Sequence, residues 1–76
     1  MLPESDRLLL DFEARAPRSI ALKEAAIRAE LGLSPVRYFQ RLNQIIETKA
    51  ALAHNPVLVN RLLRRRAERD RARRLE

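Results

Sequence analysis

Apolar residues recur along this chain at spacings of three and four, the period of helices that bury one face. The first such run spans about Pro3 to Arg15, where Leu8, Leu9, Phe12 and Ala16 mark the stripe and Asp11 and Glu13 are expected to face outward. Glu4 and Asp6 in its first turn complement the helix dipole. Pro17 ends it, because the residue before a proline is pushed out of the helical region. A second helix is expected from Ile20 to Leu31, with Ile20, Ala26, Ile27 and Leu31 as its buried contacts. A third runs from Pro35 to about Thr48. At about 100° per residue, Tyr38, Phe39, Leu42, Ile45 and Ile46 share one apolar sector. Arg37, Gln40, Arg41, Asn43, Gln44 and Glu47 occupy the remainder, with Val36 exposed near the start. Two adjacent aromatics cannot both point at the centre of a core, so Tyr38 is expected at the rim with its hydroxyl at the surface.

The punctuation between these runs is equally legible. Gly32 stands where a helix C-terminus needs a residue tolerant of positive φ. Ser34 offers a side-chain oxygen to cap the next helix, and Pro35 fits its first position. Lys49 to His54 reads as a short helical turn or connector, after which Asn55 and Pro56 repeat the cap-plus-proline device. The fourth helix has an apolar face from Val59, Leu62 and Leu63, with Val57 and Leu58 close by. After Leu63 only Ala67, Ala72 and Leu75 are apolar, so this helix is expected to dock by its first two turns and project beyond the body. Arg64–Glu68, Arg66–Asp70 and Asp70–Arg74 are spaced for ion pairs along it. The expectation is an all-α fold: a three-helix helix-turn-helix core with a long Arg-rich C-terminal helix. Residues 1–60 form the core, the connector and the start of helix 4, and residues 61–76 the Arg-rich helical extension.

Composition agrees with that picture. Seventy-six residues suffice for one small domain. One glycine and four prolines leave few turns for a many-stranded β fold, and aromatics at 4% leave the core to aliphatic side chains. Charge adds something new. The formal net charge is +6, of which residues 1–60 carry +1 and residues 61–76 carry +5. All eight cations in the second segment are Arg, which forks two donors onto a phosphate. A basic segment on a helix-turn-helix is the footprint of a nucleic-acid binder.

The order Leu10-Asp11-Phe12-Glu13, Lys23-Glu24, Ala26-Ile27-Arg28, Leu31-Gly32-Leu33-Ser34, Arg37-Tyr38, Gln40, Leu42-Asn43, Ala51-Leu52, Asn55-Pro56, Leu58-Val59 and Arg61-Leu62 resembles a family of small uncharacterised actinobacterial proteins, a domain of unknown function. The family pattern differs in having Asp at Asn55 and aromatic residues over Arg15 to Arg18. The resemblance implies a bacterial cytoplasmic protein and no mechanism. More distantly, the turn and third helix are similar to the promoter-reading helix-turn-helix of sigma factors, which implies recognition of duplex DNA.

Catalytic chemistry finds little to work with. Cysteine is absent, and His54 is the lone histidine, so no metal site assembles from either and no cofactor is expected. Asp11 with Glu13, and Glu24 with Glu30, miss the helical spacing of a facing carboxylate pair. Ser5, Ser19 and Ser34 lack an attendant base, and a single glycine cannot build a phosphate loop. We read the chain as a non-enzyme. No apolar run approaches a membrane span and no basic-then-apolar leader is present, so a cytoplasmic protein without a membrane partner is expected.

The expected role is DNA binding in bacterial transcription or chromosome-associated regulation. Ser34 and Arg37 would contact backbone or base edges near the helix tip, and Gln40, Arg41 and Gln44 would face the groove. Arg61, Arg64 and Arg65 would add phosphate contacts. The alternatives are a protein-interaction module that takes an acidic partner, such as transcription or ribosomal machinery, on the Arg-rich helix, and an RNA-binding accessory protein.

Overall fold

The computed structural model describes residues 1–75, which form helices and no strand. Helix α1 spans Glu4–Arg15 and α2 spans Ile20–Ala26, widening into a π-helical turn over Ile27–Leu31. Helices α3 (Pro35–Ile45), α4 (Lys49–His54) and α5 (Pro56–Leu75) follow. Each start except that of α1 has a side-chain cap. Ser19 accepts from the Leu22 N–H, Ser34 from Arg37, Thr48 from Ala51 and Asn55 from Leu58. Gly32 closes the π turn at φ 66°, and its N–H returns to the Arg28 carbonyl. A side chain at that φ would be strained.

One boundary differs from the sequence reading. Helix α3 stops at Ile45, because Thr48 turns its hydroxyl to the Ile45 carbonyl and then caps α4. Lys49–His54, read as a short helical turn or connector, is a helix that carries the fully buried Ala51 into the core.

Helix α1 packs on α3 and α4, the π turn packs on α3, and α4 packs on α5. The core comprises Leu9, Leu10 and Phe12 of α1, Ile27, Tyr38, Leu42 and Ile45 of the next segments, then Ile46, Ala51, Leu58, Val59 and Leu62. The buried stripe of α1 is rotated from the expected one. Leu8 is exposed and Leu10 is buried in its place, and the stripe runs Asp6, Leu9, Leu10, Glu13. Glu13 therefore points inward, contrary to expectation. Ile20 also departs, being largely exposed, and Ile27 is the fully buried residue of its segment.

The aromatic pair is reversed as well. Tyr38 is fully buried and Phe39 lies at the rim. The Tyr38 ring meets Phe12 edge-on at 5.6 Å and Phe39 at 5.1 Å. Burial of the tyrosine is possible because its hydroxyl finds an acceptor inside, the Glu13 carboxylate.

On α5 the buried residues are Leu58, Val59 and Leu62. Beyond Leu63 the described side chains are exposed, except for Arg66, which is half-buried. Arg66 reaches Glu47 at 3.0 Å and the Asn43 carbonyl at 3.4 Å, so it ties α5 to the end of α3 rather than pairing along its own helix with Asp70. Among the described residues the other two expected pairs on α5 do not form.

Leu42 lies at the centre of the core face of α3 and is buried. Leu42→Ala should cost about 2–5 kcal/mol, a large share of a small domain's stability, read as a fall in the midpoint of a urea melt. An unchanged midpoint would place Leu42 outside the packed core.

Candidate nucleic-acid interface

Two buried carboxylates on α1 organise the surfaces around them. Asp6, near the N-terminal end of the stripe, accepts from Arg41 through two donors, Nε at 3.0 Å and Nη2 at 2.8 Å. This is the fork geometry that suits a guanidinium and a carboxylate. The Nη1 of Arg41 donates to Gln44 Oε1 at 3.1 Å. Glu13, at the other end, accepts from the Tyr38 hydroxyl, and Lys23 Nζ lies 2.8 Å from Oε1 and 3.0 Å from Oε2. The same ammonium sits 5.7 Å from the Tyr38 ring centroid and 5.2 Å from that of Phe39. No buried side-chain nitrogen or oxygen among the described residues lacks a partner.

Desolvation is the main force on the Tyr38 phenol, and the hydrogen bond to Glu13 and that carboxylate's charge add to it. Together they hold the proton well above the usual tyrosine range. His54, expected as a connector residue, links α4 to α1 through Nε2 and Asp11 Oδ1 at 2.8 Å. Among the described residues no three His, Cys, Asp or Glu side chains gather as metal ligands would.

The sequence-predicted site residues fall into two places. Ser34, Arg37, Gln40, Arg41 and Gln44 are all exposed on α3 or at its cap. The Ser34 oxygen is engaged as the cap acceptor, which leaves its hydroxyl proton free to donate. Arg37 and Gln40 have no side-chain partner among the described residues. Arg41 differs, since three of its five donors are committed to Asp6 and Gln44. Its Nε edge cannot fork onto a base, and it serves to hold Gln44 in place.

Arg61 and Arg65 lie elsewhere. They line a polar trough of about 700 Å³ with Arg18 and Lys23, shared on its other walls by Glu13, Pro17 and Ile20. Arg64 is exposed and lines none of the grooves described here. A second groove of about 550 Å³ continues from the first between α2, α3 and α5, over Ile20, Phe39, Leu42, Ile46 and Leu62, with Arg65 and Arg69 on its rim. Sequence reasoning did not single out Arg18, Lys23 or Arg69. A signal existed for Arg69, because Arg61, Arg65 and Arg69 stand four apart on one face of a helix. None existed for Lys23, whose place depends on Glu13 turning inward.

Among the described residues the molecule is thus all-helical, with a polar outward face on α3 and a separate Arg-lined trough. It belongs to the family described as "Protein of unknown function (DUF3263)", whose pattern it matches over residues 1–74. No curated protein and no solved structure matches the chain. Among the described residues no helix is long and apolar enough to cross a membrane.

Tyr38 is the only tyrosine, so its titration is directly visible. An unfolded phenol ionises near pH 10, and the folded one resists. The folded state therefore holds a proton that the unfolded state has released, and stability falls as pH rises past about 10. Tyrosinate absorbance should appear together with loss of helical circular dichroism. Ionisation that precedes unfolding would show the hydroxyl to be accessible.

Lys23 and Arg15 provide a matched comparison. Lys23→Ala leaves Glu13 buried without its cation and should cost about 3 kcal/mol. Arg15→Ala breaks the exposed bridge to Glu30 and should cost at most about 1 kcal/mol. Equal losses in thermal melts would mean that the Glu13 pair is effectively solvated.

Proposed function

We propose that this protein binds double-stranded DNA through the outward face of α3, as a transcriptional or chromosome-associated regulator rather than an enzyme. The observation that carries this reading is the state of that face. Arg37 and Gln40 are exposed and have no side-chain partner among the described residues, and Gln44 stands beside them, steadied by Arg41. Arg suits guanine and Gln suits adenine in the major groove, each good pair giving about 1–3 kcal/mol of discrimination. The segment from α2 through the π turn, Gly32 and the Ser34 cap to α3 has the order of a helix-turn-helix, in which the second helix reads the groove from its N-terminal part. The net charge of +6 adds attraction for any duplex.

The interior supports the same assignment of faces. Tyr38, Leu42 and Ile45 are buried on the opposite side of α3, so its polar side is the one left for a partner. The reading therefore stands on the combination of residue types, absence of internal partners and position after the turn.

The test begins with a selection of bound fragments from a random duplex pool. Arg37→Ala and Gln40→Ala should then leave the melting temperature unchanged and weaken the selected duplex about tenfold or more, with a smaller loss on random duplex. Equal loss on all sequences would reduce these residues to phosphate contacts. No enrichment of any sequence and no loss in either variant would remove α3 from the interface.

A further inference from the structure

The groove between α2, α3 and α5 is distinct from the proposed DNA face and has a chemistry of its own. Its floor is aliphatic and aromatic: Ile20, Phe39, Leu42, Ile46, Leu62 and, at the far end, Ala72. Its edges are cationic. Arg65 and Arg69 follow one another along α5 on the groove itself, and Arg61 and Arg18 stand in the adjoining trough. Among the described residues none of these four arginines forms an ion pair. Glu13 lies at the bottom, its charge already met by Lys23, so it does not offset them. Glu68 is the other carboxylate on the wall.

We propose that this groove seats a single helical segment of a partner protein, apolar on one face and acidic along its flanks. Three observations select that occupant. From Leu62 to Ala72 the α5 wall rises about 15 Å, nearly three helical turns, which suits an elongated ligand. The floor there is mainly apolar, interrupted by Asn43 and the Glu13–Lys23 pair, and a phosphate backbone has no use for Ile20, Leu42 and Leu62, whereas the Leu or Phe stripe of an amphipathic helix does. The rim supplies guanidiniums on α5 that form no ion pair among the described residues, matched by carboxylates flanking such a stripe. The Ile20 side chain remains largely exposed on this face, an apolar surface that the fold itself leaves uncovered.

The probe is a synthetic peptide with Leu at i, i+3, i+4 and i+7 and Glu at the flanking positions, set against a scrambled peptide of identical composition. Both are titrated into the 76-residue chain, with amide chemical shifts and calorimetry as readouts. The patterned peptide should bind and shift resonances of Ile20, Phe39 and Arg65, and the scrambled one should bind about tenfold more weakly or not at all. Ile20→Ser and Arg65→Glu, both exposed positions, should retain the parent melting curve and each weaken the patterned peptide about tenfold. Arg64→Glu, outside the groove, should leave it unchanged. Equal binding of the scrambled peptide, no binding of either peptide, or indifference to Ile20→Ser and Arg65→Glu would overturn the proposal. Duplex DNA that displaces the peptide while Ile20→Ser has no effect would make the groove a phosphate path. Arg37→Ala should bind the peptide as the parent does, so failure of the DNA reading and failure of this one are separable.

Discussion

Two carboxylates on the buried stripe of α1 are the constraint around which this small fold is arranged. Asp6 and Glu13 are seven residues apart, two helical turns, with Leu9 and Leu10 between them. A charge in such a place is tolerated only if other elements bring partners to it. Arg41 of α3 meets the first, and Lys23 of α2 with Tyr38 of α3 meets the second. Three helices thus meet at fixed points, and sliding α1 by one turn against α3 would strand both acids. The aliphatic core alone is too uniform to impose that register.

The same contacts decide what the rest of the molecule can present. With Tyr38 anchored inward and Arg41 clasping Asp6 at its flank, α3 has no rotational freedom, and Arg37 and Gln40 are held outward. Gln44 is aligned by a chain that begins at a buried acid two helices away in sequence. Lys23 is likewise drawn down beneath Phe39, which opens the space lined by Ile20 and the α5 arginines. Surface chemistry here follows from interior electrostatics.

What could be read from sequence follows a physical division. Caps and turns act over three or four residues, so Ser34, Gly32, Asn55 and Pro56 announced their roles directly. The core face of α3 was legible because Leu42, Ile45 and Ile46 keep helical period. Helix α1 misled because Glu13 was read by residue type as outward, when its spacing from Leu9 and Leu10 placed it on the stripe. Tyr38 follows from the same residue: with the Glu13 carboxylate inside as acceptor, the tyrosine can take the central place of the adjacent aromatic pair and leave the rim to Phe39. The α3 residues named for an interface are exposed as expected. That Arg41 is largely committed inside the fold could not be inferred without knowing which face Asp6 occupies.

The uneven anchoring of α5 has a consequence for exchange behaviour. Leu58, Val59 and Leu62 hold its first turns, Arg66 adds one tether to α3, and the helix beyond relies on its own backbone bonds. The free energy of local opening therefore declines along the helix, from near the global value at Val59 towards almost nothing at the last described turn. Amides near Arg61 should be slow to exchange, and those near Arg73 fast. The groove wall straddles this gradient, so an occupant that spans Leu62 to Ala72 would transmit order outward. Part of its binding free energy would appear as hydrogen-exchange protection in residues it does not touch.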